Sequence, residues 1–218
     1  MENVHEQDII TATFTPGNGI STLPVMEAFY TIQGEGFHQG RAAYFIRLGG
    51  CNVGCFWCDV KESWDADAHP KMNIETIVQQ AAAEPARLAI ITGGEPLMHN
   101  LDELTTKLKE AGFETNIETS GSYPMSGNWD WICVSPKKFK SPTPEALSVA
   151  NELKVIIYNK NDLDWAEKNA ALVSDHCKLY LQPEWDRSAI MTPQIIDYIK
   201  ANPKWELSLQ IHKYINVP

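Results

Sequence analysis

The chain has 218 residues, which suits a single α/β domain, and its 44% hydrophobic content can fill one core. Its 28 acidic residues outnumber the 18 basic ones, so it lacks the basic face with which a general nucleic-acid binder neutralises phosphates. No apolar run approaches the roughly 18 residues of a membrane span, and the polar, acidic start is not a signal peptide. We therefore expect a cytoplasmic protein that acts on a small molecule, without nucleic-acid or membrane partners.

The predicted elements alternate between strands and helices along the chain. Residues 1–22 contain Pro16-Gly17-Asn18-Gly19 and no periodicity, so we expect a loosely ordered arm before one domain over 23–218. Apolar and alternating segments predict strands over 24–32, 42–48, 88–92, 113–118, 131–135, 153–157, 178–182 and 205–211. Helical periodicity predicts helices over 74–83, 101–111, 145–151, 162–172 and 193–201, the last entered through Thr192-Pro193.

The order of these elements predicts the fold class. About six core strands alternate with helices, whereas a closed barrel needs eight. Residues 122–130 are too rich in Pro, Gly and Asn for a full crossover helix. We therefore expect an α/β protein with an open, partial (β/α)6 barrel, an N-terminal β extension and abbreviated crossovers. In such barrels the chemistry lies at the carboxyl ends of the strands.

A cysteine motif follows the strand predicted over 42–48. Cys51, Cys55 and Cys58 are spaced C-x3-C-x2-C, and thiolates are soft ligands for zinc or iron–sulfur clusters. A cube held by three cysteines keeps one iron open for chemistry. A structural zinc site is the alternative, but no second cysteine pair exists. A disulfide is disfavoured because the five cysteines are an odd number and the chain shows no sign of secretion.

The cysteine spacing, with Trp57 before the third cysteine, resembles the radical S-adenosylmethionine (SAM) enzymes. The resemblance implies a 4Fe–4S cluster whose open iron binds the amino and carboxyl groups of SAM. It also implies that the reduced cluster cleaves SAM to a 5′-deoxyadenosyl radical. Gly93-Gly94-Glu95-Pro96 matches the superfamily element that holds the methionine amino group.

Other polar residues occur where predicted strands end. Gln33-Gly34 is either a plain hairpin loop or part of a site. Arg47, near the end of its strand, is either solvated or placed to clamp a carboxylate. Ser135 and Lys137 begin a basic, proline-rich loop on the active face. Cys133 is expected to be an inert buried thiol, and Cys177 has no predicted role.

The order of six motifs along the chain resembles the 7-carboxy-7-deazaguanine synthase family. The motifs are Gln33-Gly34-Glu35-Gly36, the cysteine loop, Gly93-Gly94-Glu95-Pro96, Ser135-Pro136-Lys137, Gln182-Pro183 and His212-Lys213-Tyr214. The resemblance implies conversion of 6-carboxy-5,6,7,8-tetrahydropterin to 7-carboxy-7-deazaguanine with loss of ammonia, in queuosine biosynthesis. It implies that SAM is regenerated and that magnesium assists. It also implies a homodimer and an electron donor such as flavodoxin or ferredoxin.

The same resemblance assigns residues to ligands. Cys51, Cys55 and Cys58 would hold the cluster. The implied SAM contacts are Trp57, Cys58, Asp59, Gly94, Glu95, Ser135, Pro136, Lys137, Gln182, Pro183, Glu184 and Trp185. The implied substrate contacts are Ile32, Gln33, Gly34, Arg47, Thr92 and the carboxylate of Pro218, with Glu118 and His212 as weaker candidates.

One position departs from the family pattern. Where the family commonly has a threonine or serine whose hydroxyl binds magnesium, this chain has Val60. Magnesium needs oxygen ligands, so either the metal binds through water, Asp59 and the substrate carboxylate, or magnesium dependence is weak. We expect weak dependence. Two alternatives to the synthase are a glycyl-radical activating enzyme, which acts on a protein, and a non-catalytic zinc-stabilised binding module. The module would be colourless, whereas a cluster would make the protein brown.

Overall fold

The computed structural model describes residues 21–218, so residues 1–20, which hold most of the predicted N-terminal arm, lie outside the described part of the chain. The described residues form an open sheet of nine strands in the order β3-β1-β2-β4-β5-β6-β7-β8-β9. The strands are β1 (Thr22–Ile32), β2 (Ala42–Leu48), β3 (Lys71–Asn73), β4 (Leu88–Gly93), β5 (Glu114–Thr119), β6 (Trp131–Val134), β7 (Glu152–Ile157), β8 (Lys178–Pro183) and β9 (Glu206–Leu207).

Within residues 21–218, five α-helices precede strands of the sheet along the chain, and a sixth follows the last strand. They are α1 (Ile74–Ala82), α2 (Asp102–Glu110), α3 (Pro144–Ser148), α4 (Asn161–Ala170), α5 (Ser188–Ala201) and α6 (Ile211–Ile215). Asn73 caps α1, since its side chain accepts a hydrogen bond from the N–H of Glu75 at 2.8 Å. No helix in this part of the chain has the length and apolarity that a bilayer span requires.

Strands β2, β4, β5, β6, β7 and β8 run parallel in succession, which confirms the predicted open barrel with six core strands. No helix joins β5 to β6, as the Pro- and Gly-rich segment 122–130 predicted. The N-terminal extension is β1, which pairs antiparallel with β2 and with the short β3. This pairing sets Glu27 opposite Arg47 across the hairpin.

The prediction of a strand over 205–211 was wrong beyond its first residues. Only Glu206–Leu207 pair in the sheet, and Ile211–Ile215 form α6. Polar contacts explain the change of direction. The hydroxyl of Ser208 donates to the side-chain oxygen of Gln182 at 2.6 Å, and the N–H of Ile211 donates to the carbonyl of Gly34 at 3.0 Å. These bonds turn the chain across the end of the barrel.

The start predicted for the last long helix was also wrong. Helix α5 begins at Ser188, and Pro193 lies inside it rather than at its entrance. The carboxylate of Glu184 accepts hydrogen bonds from the N–H groups of Asp186 and Arg187, at 3.3 and 3.1 Å, which starts a helical turn before α5. Pro193 leaves the carbonyl of Ala189 without an intrahelical partner, on the exposed side of the helix.

Apolar residues fill the space between the sheet and the helices, whereas the inside of the barrel is polar. Along β7, Leu153, Val155 and Ile157 belong to the apolar cluster under the helices. Glu152 and Lys154 alternate with them, so they point to the opposite face, where both are buried. The other polar side chains on the inner side include Asn116, Glu118, Gln182 and Ser208. The barrel interior can therefore bind polar groups.

Candidate active site

A cavity of about 310 Å³ opens at the carboxyl ends of the parallel strands. The loops that follow β1, β2, β4, β5, β6 and β8 all contribute to its walls, together with α6. This is the end of the barrel at which the sequence predicted the chemistry.

The cysteine loop forms one wall of the cavity. Cys51, Cys55 and Cys58 all line it, and none is in a disulfide. Gly50 and Gly54 have φ angles of 105° and 79°, a left-handed conformation that glycine adopts without strain, and the loop turns back at these positions. Burial raises the pKa of the Cys55 thiol to about 11, so this thiol needs a metal to become a thiolate at neutral pH.

The donor set fits an iron–sulfur cluster, whose protein ligands are thiolates. Across residues 21–218, no three His, Cys, Asp or Glu side chains converge closely enough to hold a single metal ion, as structural zinc requires. Thiolates on a cube bind different irons and therefore stand further apart than the ligands of one ion. Three free thiols facing one cavity would hold a 4Fe–4S cluster and leave one iron for another ligand.

The Gly93-Gly94-Glu95 segment joins the cysteine loop to the end of β5. The N–H of Gly94 donates to the carbonyl of Leu48, and that of Glu95 donates to the carbonyl of Gly50, at 2.9 and 2.8 Å. The buried carboxylate of Glu95 accepts hydrogen bonds from Thr119 Oγ1, Ser120 N, Ser120 Oγ and Leu97 N. Glu95 thus fixes the loop after β5, and its contact with the SAM amine stays a prediction.

Nearly all of the predicted SAM contacts line the cavity. Lys137 Nζ donates to Ser135 Oγ at 2.5 Å and lies 5.6 Å from the centre of the Trp57 ring. Burial lowers the pKa of Lys137. Pro136 does not line the cavity, because its carbonyl faces α4 and accepts a hydrogen bond from Trp165 Nε1. The predicted contacts that do line the cavity are Trp57, Cys58, Asp59, Gly94, Glu95, Ser135, Lys137, Gln182, Pro183, Glu184 and Trp185.

All six predicted substrate contacts line the same cavity. Four are Ile32, Gln33, Thr92 and Pro218. The fifth, Gly34, packs against α6, where a Cβ on this residue would lie 2.8 Å from the Cβ of His212. The sixth, Arg47, is 20% exposed and donates from Nε to Glu27 at 2.6 Å. Among the described residues its two terminal nitrogens have no hydrogen-bond acceptor, so they are free to bind a ligand.

Comparison with known proteins places the chain in a family. Residues 45–164 match the model of the radical SAM superfamily, which covers just over half of the chain. A protein of Flavobacterium psychrophilum named 7-carboxy-7-deazaguanine synthase is 56% identical over 196 residues, which are 90% of this chain and 93% of that protein. The chain belongs to the 7-carboxy-7-deazaguanine synthase family.

Other relatives agree with this assignment. A 7-carboxy-7-deazaguanine synthase of Synechocystis is 48% identical, covering 90% of this chain and 94% of that protein, and one of Escherichia coli K12 is 34% identical, covering 89% and 98%. The crystal structure of QueE from Escherichia coli superposes with a TM-score of 0.77 at 32% identity, covering 86% of this chain and 93% of that chain. These relatives favour the synthase family over a glycyl-radical activating enzyme or a zinc-stabilised module.

In this member of the synthase family, the segment after the cysteines contacts α6. Val60 lines the cavity but has no oxygen for a metal. The carboxylate of the neighbouring Asp59 accepts a 2.6 Å hydrogen bond from Lys213 Nζ. Lys213 also lies 4.9 Å from the centre of the Trp185 ring. Lys213 was not among the predicted site residues, and only its place beside His212 in the closing motif could have indicated it.

The synthase cavity contains two further charged residues that the sequence analysis did not assign. Glu35 and Lys154 both line it, next to Glu118 and His212, which were only weak candidates. Lys154 donates to Glu35 Oε2 at 2.6 Å and to Glu118 Oε2 at 2.8 Å. One feature of the sequence could have indicated Lys154: it is the single lysine inside the apolar segment 153–157. A charged residue in a buried strand needs an oppositely charged partner.

Proposed function

We propose that this chain is a 7-carboxy-7-deazaguanine synthase. As a carbon–nitrogen lyase it converts 6-carboxy-5,6,7,8-tetrahydropterin to 7-carboxy-7-deazaguanine and ammonia, in 7-deazapurine and queuosine biosynthesis. The observation that carries the proposal is that the three free thiols and a polar wall containing Gln33 and Arg47 face the same cavity. The reaction is an elimination without net oxidation, so an adenosyl radical can be regenerated as SAM after each turnover.

The cysteine loop holds the cofactor in this proposal. Cys51, Cys55 and Cys58 would hold a 4Fe–4S cluster, and with SAM this cluster would supply the radical chemistry of the family. Gly94 lines the cavity next to the cysteine loop, so its backbone is available to SAM. The positive charge of Lys137 and the hydroxyl of Ser135 are available to the polar groups of SAM.

A second group of residues in the cavity wall orients the substrate in this proposal. The substrate carries a carboxylate, and the free guanidinium nitrogens of Arg47 match it with two parallel hydrogen bonds. The side chain of Gln33 and the backbone at Gly34 offer amide groups to the pterin ring. Glu27 fixes the Arg47 side chain from outside the cavity. Thr92, Ile32 and Pro218 complete the contacts in this proposal.

Further properties belong to the same proposal. The enzyme acts in the cytoplasm as a homodimer, with residues 23–218 as one domain, and it receives electrons from a flavodoxin or ferredoxin. Magnesium has a small role, because Val60 offers no oxygen and the carboxylate of Asp59 is paired with Lys213.

Anaerobic turnover tests the proposal. The reconstituted protein is incubated with SAM, reductant and carboxytetrahydropterin, and the products are analysed by mass. We expect 7-carboxy-7-deazaguanine and ammonia in equal amounts, with many turnovers for each SAM. SAM cleavage without any deazapurine, from protein that retains its cluster, would contradict the proposed substrate.

Two cysteine variants make a matched control. Cys58→Ser removes one predicted cluster ligand, so iron content and turnover should both be lost. Cys177→Ala changes a buried thiol outside the cavity, and burial raises the pKa of that thiol to about 12. This second variant should retain both iron and turnover.

A further inference from the structure

Lys154 is a buried cation in the wall of the cavity. It lies in the middle of β7, and its side chain is 4% exposed. Its ammonium group is 2.6 Å from Glu35 Oε2, in the loop after β1, and 2.8 Å from Glu118 Oε2, on β5. One ammonium therefore joins two carboxylates that come from distant parts of the chain.

The second oxygen of each carboxylate also has a donor. Gln210 Nε2 donates to Glu35 Oε1 at 2.8 Å, and Gln33 Nε2 donates to Glu118 Oε1 at 3.2 Å. Glu35, Glu118 and Lys154 all line the cavity, so this network forms part of the wall that contacts a ligand. A buried ion pair adds little to stability compared with apolar packing, so stability alone does not explain it.

The charges within the network hold one another in the ionised state. Burial acts to raise the pKa of Glu35, but Lys154 and the amide donors outweigh it and lower that pKa to about 2. Burial acts to lower the pKa of Lys154, but Glu118 and Glu35 raise it well above its ordinary value. The other titratable groups around the network are His38 in the loop after β1, Cys133 on β6, Lys137 after β6, Glu152 on β7 and His212 on α6.

We propose that Lys154 is a positioning residue that keeps Glu35 and Glu118 as a fixed pair of ionised acceptors for the N–H groups of the substrate ring. This inference rests on the proposed function, because a reduced pterin presents several N–H donors on its rings. An ionised carboxylate only accepts hydrogen bonds, whereas a protonated one also donates. Loss of the ammonium therefore changes the number of hydrogen-bond acceptors that the cavity wall presents to the substrate.

The variant Lys154→Met isolates this role. Without the ammonium, two carboxylates remain side by side in a buried wall, and their repulsion and desolvation raise the pKa of one of them. As the pH falls through that raised pKa, this carboxyl gains a proton and ceases to be a pure acceptor. The variant should therefore bind the pterin less well at low pH, whereas the wild type keeps both acceptors.

The experiment measures kcat and KM for carboxytetrahydropterin from about pH 6 to about pH 9. We expect Lys154→Met to raise KM by about tenfold or more at the acidic end, with a smaller rise at the basic end. The double variant Lys154→Met/Glu35→Gln removes the repulsion, so its KM should stay raised but lose the pH dependence.

Lys204→Met is the matched control, because Lys204 forms a 2.6 Å pair with Glu167 outside the cavity. It should keep the wild-type KM at every pH. If Lys154→Met folds and its KM equals that of the wild type at every pH, the inference is overturned. If Lys154→Met does not fold, a wild-type KM in the double variant Lys154→Met/Glu35→Gln would overturn it instead. These outcomes require that the wild type turns over the pterin; a wild type that does not would contradict the proposed function itself.

Discussion

Gly94 packs against Cys51 so closely that a Cβ on the glycine would lie 2.8 Å from the Cβ of the cysteine. The same Cβ would also meet the carbonyl of Gly50, so the cysteine loop would have to move. We expect Gly94→Ala to lower the iron content of the anaerobically purified protein at least severalfold, because a loop displaced by even an ångström no longer aims its thiols correctly. Iron and acid-labile sulfide assays measure this.

Gly112→Ala is the control for this substitution. Gly112 follows α2 with a φ of 82°, and a Cβ there would meet no atom within 4 Å. The alanine should cost about 1 kcal/mol of stability through backbone strain and leave the iron content unchanged. Full iron in Gly94→Ala would show that the loop has more freedom than the packing indicates.

Arg47 should determine the affinity for the carboxylated substrate. Arg47→Met removes the guanidinium that we propose binds the carboxylate. KM should therefore rise by about tenfold to a hundredfold, which corresponds to the free energy of one charge-assisted hydrogen-bonded pair. Steady-state kinetics under anaerobic conditions measures it. Arg41→Met removes a comparable 2.6 Å pair with Glu114, outside the cavity, and should leave KM unchanged. An unchanged KM in Arg47→Met would mean that another group binds the carboxylate.

Magnesium dependence should be weak in this enzyme. Removing magnesium with a chelator should lower turnover by less than about twofold, because Val60 has no oxygen and Asp59 is paired with Lys213. Val60→Thr adds a hydroxyl at the same position and should make turnover respond to added magnesium. A large loss on chelation that magnesium restores in the wild type would contradict this expectation.

Glu167 should be important for stability but not for activity. Its carboxylate accepts hydrogen bonds from Tyr198, Lys204 and Trp205 at 2.6 to 2.8 Å, which joins α4 to α5 and to the segment just before β9. Glu167→Ala should lower the free energy of unfolding by about 1–3 kcal/mol, since it leaves the indole of the buried Trp205 without an acceptor. Glu75→Ala, which removes an exposed pair with Lys107, should lower the free energy of unfolding much less, because water screens a pair on the surface.

The difference in unfolding free energy between the wild type and Glu167→Ala should become smaller as the pH falls. Burial acts to raise the pKa of this carboxyl, but hydrogen bonds from Lys204, Tyr198 and Trp205 lower it below 4.5. A carboxyl with a lowered pKa stabilises the folded state above its unfolded pKa and loses that contribution as the pH falls. Denaturant unfolding near neutral pH and below about pH 4 should show the gap between wild type and Glu167→Ala narrowing with acid. If the difference in unfolding free energy does not change with pH, the contribution of Glu167 comes from packing and not from its charge.

The fold could be predicted because its strands are locally distinct. The apolar segments over 42–48 and 88–92 fall within one residue of β2 and β4, since buried parallel strands are apolar throughout. The last strand could not be predicted, because segment 205–211 alternates like a strand while Ser208 and Ile211 form hydrogen bonds to residues far away in sequence. Long-range contacts of this kind leave no periodicity in the local sequence.

The site could be predicted where a motif is contiguous. The three cysteines fall within eight residues, and Gly93-Gly94-Glu95 is a second short segment, so each could be recognised locally before the fold brought them together. Lys154 and Glu35 could not be paired in this way, because 119 residues separate them and only the barrel brings β7 next to the loop after β1. Pro136 failed to line the cavity although both of its neighbours do, since successive residues of an extended chain point to opposite sides.

Helix α6 touches both halves of the active site at once. His212 packs on Gly34 in the wall proposed for the pterin, and Lys213 is bonded to Asp59 in the segment after the cluster ligands. Because one short helix contacts both regions, we expect a ligand that shifts α6 at one end to change the binding affinity at the other. Thermodynamic linkage requires the effect to be mutual: if bound SAM changes the affinity for the pterin by some factor, bound pterin changes the affinity for SAM by the same factor.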